Sequence, residues 1–392
     1  MTFIWLLLGL SAVIWLYLLL FHGGFWRCDQ RLDAEHPPSA NPPTVWPRVV
    51  TLVPARNEDD VIEASLGSIL EQDYPGPLDI VVTNDASEDN TGALIQALAS
   101  TRGSGQRRLI AVDGTGPAEG WSGKMYALHQ AHGHAQQELE APEYWWLTDA
   151  DIAHDTAALT RLVTQAIGGG HDLVSTMVRL KDEGGWPGLL IPAFILFFQM
   201  LYPFRWINDR QKSMAGAAGG CVLLRREALD RIGGFPGLRN ALIDDCTLAA
   251  RVKGSGDKPI WLGLSKSQYS IRPYDGLADI WQMVSRTAFT QLEYSSLRLI
   301  GTVVGMILVF LMAPISLLFG LSLGNPMMIA VSLVVWGMIA IAYLPMLRWF
   351  GRNPLEAVLL PLAASFYTAM TLDSARQYWQ GRGGQWKGRN QA

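Results

Sequence analysis

Long apolar runs occupy both ends of the chain and leave a mixed apolar and polar stretch between them. The segments Phe3 to Phe21, Leu299 to Ser322 and Pro326 to Leu347 contain no charged residue. Each is long enough to cross a hydrocarbon core of about 30 Å as a helix. The pattern therefore predicts an N-terminal transmembrane anchor over residues 1–26 and two C-terminal spans near 299–322 and 326–347.

The first apolar run lacks the features of a cleaved secretory signal. No Lys or Arg precedes it, and the sequence that follows, HGGFW, is not a small-residue cleavage site. Arg27, Arg31 and Arg48 come after the anchor, and the positive-inside rule then places the next domain in the cytoplasm. We expect an integral protein of the cell (inner) membrane whose soluble domain is cytoplasmic.

Two further apolar stretches predict contact with the membrane surface. Ala357 to Leu372 is short and interrupted by Pro361, and if it crossed, the basic tail after it would lie outside. We interpret it as a re-entrant or interfacial segment of a C-terminal membrane region over 291–392. Leu189 to Phe204 fits either a helix buried in a large domain or an interfacial helix, and the basic residues that follow it favour the interface.

The stretch between the membrane segments alternates strand and helix patterns. A Pro-rich segment within residues 27–47 predicts a stiff linker, and residues 48–290 then form one domain. Short apolar runs predict strands at Val49 to Val53, Asp79 to Thr83, Leu109 to Val112, Tyr144 to Thr148, Asp172 to Met177, Cys221 to Leu224 and Pro259 to Gly263. Helical patterns between these runs predict an α/β domain with a mostly parallel sheet.

Net charge and cysteine spacing argue against nucleic-acid binding and against a metal site or disulfide framework built from the cysteines. The net charge of −4 argues against nucleic acid as a partner. Cys28, Cys221 and Cys246 are far apart and lack the spacing of metal ligands. They are typical of reduced thiols in a cytosolic domain, without a disulfide framework.

Acidic side chains follow two of the predicted strands at the point where each strand ends, which is where open α/β sheets place ligands. Asp149 and Asp151 are separated by one small residue, and such a pair can hold Mg²⁺ or Mn²⁺ together with a diphosphate. Asp85 can accept a hydrogen bond from a nucleobase, although an Asx turn is the alternative. Asp89 is predicted to cap the next helix.

Other polar residues are candidates for binding the donor of such a reaction. Pro54, Arg56 and Glu58 lie between the first strand and the first helix of the domain, and Lys124 stands at a helix start, where it can neutralise a phosphate. Arg286, just before the second span, can close over a diphosphate or bind lipid headgroups instead. For Lys124, an ordinary solvent-facing position is the alternative.

Two segments are candidates for the acceptor side of the reaction. Asp244 and Asp245 open a helix, and we predict Asp245 as the general base for an acceptor hydroxyl, with Asp244 as its support. The small-residue run Ser213 to Gly220 permits a close backbone approach beneath a transferred sugar, and tight packing without function explains it equally well.

These residues together resemble a known family. VPARNE, NDASEDNT, TDADI and DDCTLAAR, in this order, resemble family 2 glycosyltransferases of the inverting GT-A fold. The hydrophobic flanks, SMAGAAGG, SRTAFTQL and the C-terminal WKGR are similar to the hopene-associated branch. The resemblance implies a nucleotide-diphosphate sugar donor, usually a UDP-sugar, with Mg²⁺ or Mn²⁺. It also implies nucleobase binding by Asp85, ribose and metal contact by Asp149, metal ligation by Asp151 and base catalysis by Asp245.

One departure from the family bears on the product. Relatives that act on lipids and polysaccharides carry a Q/R-x-x-R-W motif, whereas this chain has Met283-Val284-Ser285-Arg286-Thr287. We therefore expect a membrane-bound, non-processive enzyme that glycosylates a hydroxyl of a membrane lipid, such as a hopanoid or another terpenoid. The alternatives are transfer to polyprenyl phosphate or a polysaccharide chain, and a catalytically silent scaffold of a lipid pathway.

Overall fold

The computed structural model describes residues 1–33, 43–102, 107–239, 244–382, 385–386 and 389–390. An eight-stranded sheet in the order β3-β2-β1-β4-β7-β6-β8-β5 forms the centre of the domain. The strands are β1 Val49–Ala55, β2 Leu78–Asn84, β3 Leu109–Asp113, β4 Tyr144–Thr148, β5 Ile152–His154, β6 Leu173–Arg179, β7 Cys221–Arg225 and β8 Ile260–Ser270. A separate two-stranded pair, β9 Gln385–Trp386 and β10 Arg389–Asn390, lies near the C-terminus.

Most strands of the large sheet run in one direction. β1 is parallel to β2 and β4, β2 is parallel to β3, and β6 is parallel to β8. β7 is antiparallel to both of its neighbours, β4 and β6, and β5 is antiparallel to β8. The predicted α/β fold with a mostly parallel sheet is therefore confirmed.

Fifteen α-helices surround and extend this sheet within the described residues. They are α1 Thr2–Phe21, α2 Ile62–Leu70, α3 Thr91–Arg102, α4 Gly123–Glu138, α5 Ala158–Gly168, α6 Gly185–Leu201, α7 Phe204–Asn208, α8 Arg226–Arg231, α9 Asp244–Ser255, α10 Leu277–Ser285, α11 Ala288–Gln291, α12 Ser296–Met306, α13 Met312–Ser322, α14 Pro326–Phe350 and α15 Leu360–Trp379.

The central strands are mostly apolar and buried along nearly their whole length, because both faces of the sheet are covered. Alternate residues of β1 enter two different cores: Val50 and Leu52 pack on the side of α4, while Val49 and Val53 pack on the side of α2 and α5. The core on the α4 side also contains Trp15 and other residues of the apolar helices. The domain and the apolar helices therefore share one continuous hydrophobic core.

Within the described part of the chain, four helical segments are long and apolar enough to cross a membrane: Thr2–Phe21, Ser296–Ser322, Pro326–Phe350 and Pro354–Trp379. The second contains a π-helical turn, Ile307–Leu311, between α12 and α13. The Trp15 indole Nε1 of α1 donates to the Val309 carbonyl of this turn at 2.5 Å, and its ring meets Phe310 edge to face. A wider helical turn leaves a carbonyl available for such a partner, so the two helices are joined at a specific point.

The fourth apolar segment is longer than the sequence pattern indicates. The predicted run over 357–372 becomes a 3₁₀ turn, Pro354–Leu359, followed by α15. Pro361 lies in the first turn of α15, where its missing N–H has no helical partner to lose. The proline therefore starts the helix instead of interrupting it, and by length and composition this segment matches the other three. Its re-entrant or interfacial placement stays a prediction.

Two predicted connections also differ in detail. The Leu32 N–H donates to the Leu264 carbonyl and the Leu264 N–H to the Gln30 carbonyl, so the residues just after the anchor extend the sheet along β8. The start of the predicted linker over 27–47 thus contacts the sheet; residues 34–42 lie outside the described part. The stretch predicted as an interfacial helix is α6, which packs against α14 and α15 and whose Leu190 carbonyl accepts from the Tyr367 hydroxyl.

Candidate active site

The carboxyl ends of three parallel strands bring the predicted residues to one edge of the sheet. Ala55 of β1 lies beside Asn84 of β2, and Leu52 lies beside Leu147 of β4. β7 runs the other way, so its first residue, Cys221, pairs with Thr148 at this same edge. Arg56, Asp85, the Asp149–Asp151 pair and the end of the small-residue run consequently meet there.

The turn that follows β2 is held by Arg56. The buried guanidinium of Arg56 donates to the carbonyls of Asp85 (2.9 Å) and Ala86 (2.5 Å) and pairs with Glu88 at 2.8 Å. Asp85 is fully buried, and its N–H donates to the Ala55 carbonyl at 2.8 Å. Asp89 accepts from the Thr91 N–H at the start of α3, as expected for a cap. Arg56 thereby fixes the position of Asp85.

Asp149 and Asp245 meet around Lys124 and Gly219. The Lys124 Nζ lies 2.6 Å from the Asp149 Oδ1. The Gly219 N–H donates to the Asp245 Oδ2 at 2.8 Å. A Cβ on Gly219 would lie 3.2 Å from both the Lys124 Nζ and the Asp245 Oδ2. Glycine at this position therefore lets the ammonium group and the predicted base share one small space.

Asp151 faces a different basic residue. Arg272, two residues beyond β8, pairs with Glu58, with Asp60 at 3.4 Å, and through Nε with the Asp151 Oδ2 at 3.7 Å. Burial lowers the pKa of Arg272, but the three carboxylates outweigh it and raise the pKa above its ordinary value. The two acids of the TDADI motif are thus divided, with Asp149 turned to Lys124 and Asp151 turned to Arg272.

Arg286 lies at the same end of the site. It is exposed at the C-terminal end of α10. Burial and then Asp151 raise the pKa of Tyr274 to about 12, while the positive charges of Arg286 and Arg272 lower it. Tyr274 is therefore within electrostatic reach of Asp151, the predicted metal ligand, and of both arginines.

The other end of the site approaches the apolar helices through Tyr202. The Tyr202 hydroxyl, at the end of α6, accepts from the Gln291 side chain of α11. Burial, with smaller effects of Cys246 and Asp245, raises the pKa of Tyr202 to about 12, while the hydrogen bond from Gln291 lowers it. This places Tyr202 beside the start of α9, where Asp245 lies. A residue of the apolar region therefore borders the predicted base.

The fit of a divalent cation rests on Asp149 and Asp151. Among the described residues, no three His, Cys, Asp or Glu side chains form a cluster able to hold a metal ion. Mg²⁺ in phosphate-transfer sites is commonly held by one or two carboxylates, with phosphate oxygens and water completing the shell. Asp149 and Asp151 fit that requirement, with the remaining ligands supplied by a diphosphate.

The predicted site residues are thus distributed over three groups. Asp149, Lys124 and Asp245 form one group, Asp151, Glu58 and Arg286 lie at the Arg272 end, and Asp85 and Arg56 form the turn beside β1. Pro54 is buried within β1, opposite Thr83 of β2. Asp244 opens α9, and its side chain lies outside the described part of the structure.

Arg272 is the residue that the sequence reasoning missed. The predicted strand stopped at Gly263, whereas β8 continues to Ser270. The continuation is mostly polar, and its last residues pair with β5, a short strand that was also not predicted. If the predicted strand had been extended to Ser270, Arg272 would have been placed at the edge of the sheet that carries the acidic motifs. The length of this strand pattern is therefore the signal available in the sequence.

Comparisons with known proteins agree with this architecture. Residues 51–233 match the family model described as Glycosyl transferase family 2. The probable glycosyltransferase YdaM of Bacillus subtilis is 25% identical over 252 residues, which cover 62% of this chain and 56% of that relative. The 4,4'-diaponeurosporenoate glycosyltransferase of Staphylococcus aureus is 22% identical over 353 residues, 86% of each chain. The present chain thus spans only about half the length of the first relative.

A solved structure shares the fold over nearly the whole chain. The mannosyltransferase PcManGT from Pyrobaculum calidifontis, in complex with GDP-Man and Mn²⁺, has a TM-score of 0.55 at 22% identity, covering 95% of this chain and 99% of its own. The likeness shows a GT-A-like fold. The match of residues 51–233 to the family 2 glycosyltransferase model and the GT-A-like fold agree with the predicted enzyme class.

Proposed function

We propose that the protein is a membrane-bound, inverting, non-processive glycosyltransferase. It transfers a sugar from a nucleotide-diphosphate sugar, a UDP-sugar in the first instance, to a hydroxyl group of a membrane lipid of the hopanoid or terpenoid class. The observation that carries the proposal is the meeting of Lys124, Asp149 and Asp245 around Gly219. That arrangement brings a phosphate-binding cation and a proton acceptor to one small space.

The donor end uses the edge of the sheet. Asp85, held by Arg56, accepts a hydrogen bond from the nucleobase, while Lys124 and Arg286 offer positive charge to the diphosphate. Pro54 and Glu58 border this pocket. Asp149 and Asp151 would hold Mg²⁺ or Mn²⁺, which when bound neutralises charge on the leaving diphosphate. The GDP-Man and Mn²⁺ complex of the structural relative supports this class of donor and metal.

The acceptor end uses Asp245. Its carboxylate takes the proton of the acceptor hydroxyl while that oxygen attacks the anomeric carbon from the face opposite the diphosphate. The Gly219 N–H and the Cys246 N–H both donate to this carboxylate, at 2.8 and 2.7 Å, and keep it oriented. Asp244 supports the start of α9. Displacement from the opposite face inverts the anomeric configuration.

A lipid acceptor is supported by the surroundings of Asp245. The domain shares its core with four helices long enough to span a bilayer, and Tyr202 connects the end of α6 to the neighbourhood of Asp245. The Staphylococcus aureus relative is named for transfer to 4,4'-diaponeurosporenoate. We propose that the chain is integral to the cell (inner) membrane with its catalytic domain in the cytoplasm, as Arg27, Arg31 and Arg48 favour.

The test is metal-dependent release of nucleoside diphosphate. The full chain in lipid nanodiscs is given UDP-sugars and GDP-mannose, with and without a total lipid extract, beside Asp245→Asn. We expect release that lipid stimulates and that Asp245→Asn lowers by roughly 10²- to 10⁴-fold, the usual contribution of a general base.

Three other results would redirect the proposal. Transfer that survives Asp245→Asn would indicate a polyprenyl phosphate acceptor, because a phosphate needs no strong base. A product that grows in size would indicate a polysaccharide synthase. If the chain neither binds nor turns over any nucleotide sugar, the enzymatic proposal fails and the scaffold alternative remains.

A further inference from the structure

Arg272 lies beside Asp151, one of the two proposed metal ligands. The backbone N–H of Ile271 donates to the Asp151 carbonyl at 2.8 Å, which fixes the end of β8 beside the TDADI motif. The guanidinium of the next residue then lies between Glu58, Asp60 and Asp151. Glu58 is almost fully buried, with 9% of its side chain exposed. The arginine is therefore held at this position from several sides.

Both carboxylates of the motif consequently have a basic partner before any ligand arrives. Lys124 contacts Asp149 at 2.6 Å, and Arg272 lies 3.7 Å from Asp151. A cation bound to Asp151 would lie close to a fixed positive charge that is only partly exposed, and repulsion at such distances is substantial where water screens poorly. The structure thus disfavours a divalent cation alone at this motif.

A bound diphosphate offsets the repulsion between Arg272 and the cation. Its negative charges attract the cation, Lys124 and the guanidinium together, and Arg is the side chain best suited to hold phosphate oxygens in two-point contact. The positive charge of Arg286, near Tyr274, adds to the attraction. The same arginine therefore repels a cation that comes alone and favours one that comes with a diphosphate.

We propose that Arg272 makes cation binding at Asp149 and Asp151 conditional on the nucleotide diphosphate. Arg272 acts as a positioning residue that couples the two ligands, and the coupling is reciprocal, because each ligand must strengthen the other by the same factor. The inference rests on the proposed function, since it takes a nucleoside diphosphate and a divalent cation as the ligands. It predicts that an isolated cation binds weakly and that the pair binds strongly.

The experiment measures Mn²⁺ binding to the full chain in nanodiscs by titration calorimetry and by the loss of the free Mn²⁺ EPR signal. Each titration is made without nucleotide, with UDP and with GDP. For the wild type, we expect nucleotide to tighten Mn²⁺ binding by about tenfold or more. Arg272→Gln should bind Mn²⁺ alone about tenfold more tightly and should lose most of the tightening by nucleotide.

Two further variants make the result specific. Arg272→Lys keeps the charge, so Mn²⁺ should still bind more tightly with nucleotide than without it. The tightening should be smaller than in the wild type, because the two-point phosphate contact is lost. Arg102→Gln removes another surface arginine that pairs with a glutamate, Glu71, and should behave as wild type. Arg272→Lys also reports whether a change at position 272 merely loosens the fold, because the charge that pairs with the carboxylates is kept.

The outcomes separate this inference from the function on which it rests. If the wild type binds Mn²⁺ more tightly with nucleotide and Arg272→Gln does the same with an unchanged factor, the coupling role of Arg272 is overturned and the donor site stands. If the wild type binds neither Mn²⁺ nor nucleotide under any of these conditions, the proposed donor site is overturned, and the inference with it.

Discussion

The Nζ of Lys124 lies 2.6 Å from the Oδ1 of Asp149, which joins the start of α4 to the end of β4. A cation in the first turn of a helix is disfavoured by the helix dipole. Asp149 offsets this cost and holds the ammonium group beside Gly219. In the proposed donor pocket, this arrangement would keep a phosphate-binding group in place before the donor arrives.

Lys124→Gln should weaken binding of the nucleoside diphosphate. Hydrogen bonds to charged groups contribute about 1.5–3 kcal/mol, so we expect affinity to fall by roughly tenfold to a hundredfold. Titration calorimetry with UDP and Mn²⁺ measures the effect. Lys258→Gln is the control, because Lys258 is exposed just before β8. Equal affinity in wild type and Lys124→Gln would remove Lys124 from the donor site.

Asp151→Asn should abolish the metal dependence of nucleotide binding. The substitution keeps the shape of the side chain but removes the negative charge that a hard divalent cation requires. The matched control is Asp113→Asn, since Asp113 is an exposed acid at the end of β3, on the same edge of the sheet. UDP binding is measured with and without Mn²⁺. An Asp113→Asn effect as large as that of Asp151→Asn would argue for general electrostatics instead of ligation.

Gly219→Ala should lower turnover while the fold is retained. The added Cβ would lie 3.2 Å from the Lys124 Nζ and from the Asp245 Oδ2, so both flexible side chains must shift. Misplacement of reacting groups by about 1 Å costs on the order of a hundredfold in rate, and we expect a loss between roughly tenfold and a hundredfold.

Gly133→Ala is the control for that substitution. Gly133 lies in α4, the helix of Lys124, and a Cβ there meets no atom within 4 Å. It should leave the rate unchanged and raise stability by about 0.5–1 kcal/mol, because alanine is the better helix former. Turnover and melting temperature are measured for both variants. Full activity in Gly219→Ala would show that the space beside Gly219 is not used in the reaction.

His132 should make the stability of the domain depend on pH. Burial against Trp145 and Phe235 lowers the pKa of His132 to about 4. The folded state thus binds fewer protons than the unfolded state, whose histidine titrates near 6.5. The stabilising contribution of neutral His132 is fully present above about pH 6.5. As the pH drops towards 4, the free energy of unfolding falls by at most roughly 3 kcal/mol.

His132→Phe should flatten that decline. The phenyl ring fills a similar space between the two aromatic neighbours and cannot be protonated. Thermal unfolding between pH 4 and 7 measures the slope, and His134→Gln, on the same helix, should keep the wild-type slope. A residual slope in His132→Phe is expected from His154, whose pKa burial lowers to about 3. An unchanged slope would show that His132 does not carry the dependence.

The sequence by itself determined the element types and the edge of the sheet at which the acidic motifs meet. Short, mostly apolar runs predicted β1, β2 and β4, because strands covered on both faces need few polar positions. The acids that follow β2 and β4 were therefore assigned to one edge of a parallel sheet before any geometry was known. Length and composition likewise indicated the apolar helices at both ends.

Only the tertiary structure decided which charges meet. Glu58, Asp151 and Arg272 are far apart in the chain, and their contact depends on β8 lying beside β5 and β6, a pairing made by long-range packing that no local pattern encodes. The division of Asp149 and Asp151 between two basic partners has the same origin. Pro361 is a local example of the same limit. The sequence pattern did not show whether a helix begins at this proline or is interrupted by it, and the structure shows that α15 begins there.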